Sequence, residues 1–379
     1  MSSIKEFSVL PFNCPSCGSY MVHKIGTYNL ECINCKSTKA IDTTPAKDNK
    51  KPIDLVDTPT INPIKKVVDC PGCGADIKFS EFELAKNCPY CKNPLVTKCV
   101  NSIKPESILP FNIDKTKAKD IFKEWIGSLW FAPNKLSNLK DFEHQFSPNY
   151  IPYFNFDANT FSTYDGQRGD AYYVEVDRVV YVNGERRVVR ELERRIRWSY
   201  VTGSVSRYFK SILVDAKKDL PLVIKNLKSF DLNMLVEFNP SFFSGYSSCE
   251  YSKELSNCYS EAKDYMKNII YKDVLWDIGG DEQRVFNINT NYSDEKFEVT
   301  MIPIWISSFK FKNKEYTIAI NGVNGEIVGN RPYSYFKIFA LIFTILLIFA
   351  TLFYLDNNYN IFGGGPYIET DFNKRFNLP

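Results

Sequence analysis

With 379 residues, 47 Lys plus Arg against 44 Asp plus Glu, the chain is long enough for two or three domains and too near neutrality for bulk charge to imply a polyanion partner. Aromatic residues make up 15% of it, including 23 Tyr and 29 Phe, a composition that suits strands better than a helical bundle. Eight of the eleven Cys fall in two short stretches behind a start, MSSIKEFSVLPFNCPSC, that lacks the pattern of a signal peptide, so they read as metal ligands in a reducing compartment rather than as disulfides.

The first stretch, CPSCGSYMVHKIGTYNLECINC, lies in residues 1–40, and its skeleton returns as CPGCGADIKFSEFELAKNCPYC within 67–100. Both are C-x2-C-x14-C-x2-C, and the ligands are Cys14, Cys17, Cys32 and Cys35 in the first, Cys70, Cys73, Cys88 and Cys91 in the second. Each CxxC pair wraps one edge of a metal tetrahedron while the insert brings the second pair back, which is the pattern of a zinc ribbon; iron is the rival for an all-thiolate site. Gly18 and Gly74 directly follow the second Cys of a pair and supply conformational freedom, and Pro15, Pro71 and Pro89 pre-bend the turns. Four thiolates close the shell, leaving His23 outside it and no position for substrate, so two structural Zn2+ ions are expected.

Residues 41–66 between the modules are polar, proline-interrupted and free of aromatics, the composition of an exposed linker that would leave the modules as separate beads. Residues 1–100 carry thirteen Lys, no Arg and ten Asp plus Glu. Two divalent ions with eight thiolates bring that balance to about −1, a poor surface for phosphate and a better one for protein docking.

From 101 to 330 the pattern is that of an α+β domain dominated by antiparallel sheet. TKAKDIFKEWIGSLWF (116–131) spaces Ala118, Ile121, Phe122, Trp125, Ile126 and Leu129 as an amphipathic helix, stopped by Pro133. Strands follow, joined at Asn183-Gly184, a strong hairpin signal. This hairpin region carries Arg178, Arg186, Arg187, Arg190, Arg194, Arg195, Arg197 and Arg207. Such a run could meet lipid headgroups or nucleic acid, with Trp198 and Tyr200 as stacking platforms. Glu185, Glu191 and Glu193 are interleaved, which favours a solvated face with cross-strand ion pairs. Residues 250–270 read as a helix whose stripe includes Leu255, Cys258, Tyr259, Ala262, Tyr265, Met266 and Ile269. GGDEQR (279–284) reads as a turn, and the strands FEVTMIPIWISSFKF, EYTIAIN and the return NGVNGEIVG complete the domain.

Ile338 to Leu355 contains no charge, Gly or Pro and, at about 1.5 Å per residue, covers about 27 Å as a helix, close to the apolar thickness of a bilayer. Tyr333, Tyr335, Phe336 and Tyr354 flank it. Basic residues barely decide its orientation; the thiols place the N-terminal region in the cytosol, with 356–379 as a short outer tail.

Little in the chain speaks for catalysis. No GxxxxGK[ST] phosphate loop occurs, and the two histidines are His23 and His144, the latter beside Glu143, so a His-based triad is not expected. Cys249 and Cys258 read as buried thiols.

The ordered set CPSCGS, CPGCGA, CPYC, ILPFNI, WFAPN, YIPYFNFDANTFSTYDGQRGDAYY, RWSYVTGSV, GDEQR, MIPIWI and AINGVNGEIVGNRP resembles bacterial and phage-borne zinc-ribbon membrane proteins. These are often catalogued as primosomal protein N′ (replication factor Y)-like or TFIIB-type zinc-ribbon proteins. The resemblance covers most of residues 10–355. It implies a membrane-attached protein similar to those that accompany SPFH-type scaffolds and phage-shock-like factors, with all eight ligand positions intact and no catalytic residue. The helicase part of the label needs an ATPase core that this chain lacks. The expectation is a non-enzymatic, single-pass membrane adaptor for protein partners; the alternative is a nucleic-acid-binding replication accessory protein.

Overall fold

A computed structural model describes residues 5–47, 50–53, 61, 63–131, 133, 146–182, 185–227, 229–311 and 314–359. In the first hundred residues the strands are β1 (Lys5–Glu6), β2 (Met21–Lys24), β3 (Asn29–Cys32), β4 (Thr38–Ala40), β5 (Lys51–Pro52), β6 (Lys66–Asp69), β7 (Asp76–Phe79), β8 (Glu83–Asn87) and β9 (Pro94–Val96). There follow β10 (Ser107–Ile108), α1 (Lys115–Ser128), the long β11 (Ser147–Val182) and β12 (Glu185–Asp215), α2 (Leu222–Lys225), β13 (Val236–Glu237) and β14 (Ser247–Cys249). The chain continues through α3 (Leu255–Ile278), β15 (Glu282–Phe311), β16 (Lys314–Asn321), β17 (Ile327–Gly329) and α4 (Tyr335–Tyr359). Contacts divide it into two units: Met1–Phe122 with Phe142–Asn330, and Lys123–Asp141 with Arg331–Pro379.

The first unit is mainly antiparallel sheet with few helices. β11 runs between β12 and β15, pairing antiparallel with both, while β16 and β17 extend the far side of β15. Burial changes along β11 in three stages. Residues 150–158 are buried on both faces; from Phe161 to Tyr164 exposed and buried residues alternate; none of residues 170–181 is buried. Two coverings end together and account for this. β15 begins at Glu282, opposite Gly169, and α3 stops at Ile278 just before it. The intervening turn, with positive φ at Gly279 and Gly280, is tied to β11 where Asp281 N donates to Gly169 O and Ala171 N to Asp281 Oδ2.

Past that level, among the described residues, β11 and β12 pair only with each other, through thirteen register pairs from Asp170↔Arg197 to Val182↔Glu185. At about 3.3 Å per residue this makes a two-stranded arm about 43 Å long. The turn expected at Asn183-Gly184 lies outside the described residues, although the register of its flanks is that of a hairpin.

α3 buries Leu255, Cys258, Tyr259, Ala262, Met266, Ile270, Val274 and Ile278 against Phe154, Phe156, Phe209 and Phe297. The stripe continues two turns beyond residue 270, and one member of the expected stripe differs: Tyr265 is 51% exposed, because burial follows the i, i+4 line through Met266. α1 buries Ala118, Phe122 and Ile126, with Phe122 edge-on to Phe146 at 5.3 Å between ring centroids.

Hydrogen bonds cross every boundary expected between modules, linker and sheet domain, so the picture of separate beads is corrected. β1 pairs with β6, and β8 pairs with β14 of the large sheet. Within 41–66, Ala46 N donates to Leu235 O, Glu237 N donates to Thr44 O, and β5 pairs with β15. Two buried lysines add ion pairs: Lys50 Nζ lies 2.6 Å from Asp157 Oδ1 and Lys66 Nζ 3.2 Å from Glu250 Oε1. A polar, Lys-rich composition misleads here because these lysines find carboxylates inside the fold rather than water.

In the second unit α4 is apolar all round, and none of its apolar window is buried. It is long and apolar enough to cross a membrane. Ser334 N donates to Phe131 O and Lys337 Nζ to Trp130 O before the helix, leaving Trp130 and Tyr335 exposed near its start.

Two candidate metal centres

Each cysteine pair sits in a tight turn, and the four turns share one hydrogen-bond plan. The first Cys N–H donates to the carbonyl five residues on: Cys14 to Ser19, Cys32 to Ser37, Cys70 to Ala75, Cys88 to Asn93. Its own carbonyl accepts from the residue four on: Gly18, Lys36, Gly74 and Lys92. That fourth residue is left-handed in every case, with φ of 75°, 63°, 71° and 65°. Glycine takes this conformation freely in the first turn of each module, and lysine is held in it in the second. The sequence reading found the two glycines and missed the two lysines, whose residue type carries no such signal.

The turns bring the thiols together. Cys14 Sγ lies 3.6 Å from Cys35 Sγ and Cys17 Sγ 3.5 Å from Cys32 Sγ; Cys70 and Cys91 are 3.4 Å apart, Cys73 and Cys88 3.8 Å. Within each group all four sulfurs lie within 4.8 Å of one another. A metal–sulfur bond of about 2.3 Å gives a tetrahedron with edges of about 3.8 Å, so both sets fit a four-thiolate ion and are far beyond the roughly 2.05 Å of a disulfide. All eight expected ligands are thus assembled as two tetrads, each able to hold a structural metal ion. The first Cys of each pair is buried, while Cys17, Cys35 and Cys73 face outward.

In the first centre Ser37, which the sequence did not single out, sets its hydroxyl 3.0 Å from Cys14 Sγ and 3.1 Å from Cys35 Sγ. This hydrogen bond lowers both thiols, Cys14 to about 6, and so favours the thiolate a metal needs. His23 stays outside the shell. Its Nε2 donates to Thr27 O at 2.8 Å, its ring packs edge-on against Phe242, and burial lowers it to about 4.

The two centres hold different parts of the fold. Cys70 and Cys73 occupy the β6–β7 turn in one sheet, and Cys88 and Cys91 the β8–β9 turn in the large sheet, so the second centre joins two sheets. The first belongs to the small β2–β3–β4 sheet, which docks where His23 N donates to Ser244 O and Tyr246 OH to His23 O. Leu10 N donates to Val96 O, setting the two modules side by side.

Outside the centres, Cys99, Cys249 and Cys258 are pushed up by burial, to about 12, 11 and 12, and remain thiols at neutral pH. His144 and Glu143 lie outside the described residues. On the Arg-rich arm the acids are partners: Arg178 Nη1 is 3.0 Å from Glu191 and Arg195 Nε 3.2 Å from Glu193; below the arm, Arg207 binds Asp273 of α3 through two nitrogens.

No family model and no solved structure matches the chain. It is similar to the uncharacterized protein YdjG of Bacillus subtilis (strain 168), with 23% identity over 359 residues, covering 88% of this chain and 93% of that protein.

Proposed function

We propose that the protein is a non-enzymatic, membrane-anchored zinc-ribbon adaptor that recruits cytosolic proteins to the bilayer. The observation that carries the reading is one chain joining two closed four-cysteine centres to a helix that is apolar on every side. Zn2+ is the ion that an all-thiolate tetrahedron in a reducing compartment favours. The sequence resemblance to zinc-ribbon membrane proteins points the same way, toward an SPFH or phage-shock-type scaffold as partner and an envelope-maintenance role. α4 crosses once and the thiol-bearing region is cytosolic.

Metal analysis of the purified protein is expected to return two zinc ions per chain. Deleting 338–379 is expected to release the rest into the soluble fraction; a truncated chain that still pellets with membranes in high salt refutes the anchor. Replacing Cys70 and Cys73 with Ser should abolish capture of the partner from solubilised membranes while leaving the protein membrane-bound, and unchanged capture refutes the adaptor role. The second reading, a nucleic-acid-binding replication accessory, draws on the Arg-rich arm. Its interleaved ion pairs speak against it, and steeply salt-dependent binding of DNA or RNA by the chain would reverse that preference.

A further inference from the structure

The arm is anomalous as a free element. Two strands alone are marginal in water, and a stable sheet wants a third. Yet this ribbon extends thirteen pairs past the last covering strand, with Tyr173, Tyr181, Val188 and Leu192 exposed by 63%, 71%, 58% and 66%. Among the described residues β12 pairs with β11 alone, so the outer edge of β12 is an open template.

The geometry points to a second copy of this chain as the occupant, its β12 pairing antiparallel with this one about a two-fold axis through Arg194. A two-fold perpendicular to a sheet keeps each side chain on its own face, so residues of like parity must meet. Among such registers, pairing residue n with residue 388 − n sets opposites together. Glu191 faces the partner copy's Arg197 and Glu193 its Arg195 on one face; Leu192 faces Ile196 and Val188 faces Tyr200 on the other. Shifting the axis by one residue brings Glu193 or Arg195 onto its own copy. The one like pair, Arg194 with itself, is neutralised within each chain, where Arg194 Nη1 lies 2.9 Å from Glu282 Oε1. Association makes a four-stranded sheet of two ribbons, with the two ionic pairs on one face and, on the other, the apolar pairs alternating with Arg190, which faces Trp198, and Arg194. Near-balanced charge along the arm, with acids between the arginines, fits a self-complementary edge better than a phosphate-binding one.

The test uses the full chain in detergent. Arg194→Cys places two thiols across the axis at a separation that a disulfide can bridge, whereas Arg186→Cys, also at an exposed position, faces Thr202. Mild oxidation is expected to give a covalent dimer with Arg194→Cys and none with Arg186→Cys or the parent chain. Sedimentation should show the parent as a dimer. Glu193→Arg and Arg195→Glu should each weaken self-association at least tenfold, while an equimolar mixture of the two restores a heterodimer, because both interchain pairs become opposite again. A monomeric parent, equal crosslinking at 186 and 194, crosslinking of Arg194→Cys in membranes to a different protein, or failure of the mixture to associate overturns the proposal.

Discussion

Replacing Lys66 with Met tests whether a buried ion pair clamps the second cysteine module to the large sheet. Lys66 Nζ lies 3.2 Å from Glu250 Oε1, with the two side chains 1% and 4% exposed. It also donates to Glu83 O and Thr97 Oγ1, both at 3.2 Å. The Glu250 carboxylate accepts from Val100 N and Asn101 N as well, so the pair ties β6 to the strand end after β9 and to the segment after β14. Met keeps much of the volume and removes the cation, leaving a carboxylate buried with two amide donors and no counter-charge. Breaking one partner of such a pair costs about 3–5 kcal/mol. If the clamp is local, hydrogen exchange in β6 and β7 of the intact protein should speed up by about two to three orders of magnitude, at about 1.4 kcal/mol per tenfold, while the centre of α3 is unchanged. Lys66→Met with Glu250→Gln removes both charges and should recover more than half of that loss. A local effect below about fivefold, or an equal acceleration in α3, would refute the clamp.

Three further outcomes follow from the same geometry. Gly18→Ala and Gly74→Ala should each cost about 1–2 kcal/mol in urea unfolding of the metal-loaded protein, because an added Cβ meets nothing within 4 Å and only the left-handed φ is penalised; Lys36→Gly should cost nothing or stabilise slightly. His23 is held neutral by burial, with a folded value of about 4 against 6.5 when free, so it contributes about 3 kcal/mol that is complete above pH 6.5 and lost as pH falls toward 4. As pH falls from 6.5 toward 4 the stability difference between His23→Phe and the parent should therefore shift by about 3 kcal/mol in favour of the variant, and a constant difference would refute the assignment. Joining Gly169 to Trp198 through an Asn-Gly turn should leave metal content unchanged and the melt of the remaining body nearly so, since the strand pairing of β15 ends at Gly169 and the excision removes only the exposed contacts of Ala171 N with Asp281 and of Arg194 with Glu282.

What could be read in the sequence was what is local. The eight thiols announce themselves because a CxxC turn is built from six consecutive residues, and the strands and α3 because burial on one face imposes a period on neighbouring positions. Long-range pairing was invisible. Lys50 and Lys66 sit in stretches that read as solvated, and only the tertiary fold brings Asp157 and Glu250 to them, 107 and 184 residues away. The same limit hid the arm. Its residues mix apolar and charged types as those of many half-buried strands do, and nothing in them says that β15 and α3 both end at the level of Gly169.

The placement of the second centre explains why a structural ion is useful in a chain that already has a large core. Among the described residues β6 and β7 share a small sheet with β1 alone, two residues long, and β8 and β9 reach the rest of the large sheet through the three residues of β14. Such short strands offer few ladder hydrogen bonds, and a packed cluster of Val68, Ile77, Phe79, Cys88 and Leu95 lies between them. Four metal–sulfur bonds from two turns, one in each sheet, would fix the corner that backbone pairing alone leaves weak. Removing a bound ion should therefore loosen the junction between sheets before it loosens either sheet: chelation should free β6 and β7 to exchange while α3, packed on Phe154 and Phe156, stays protected.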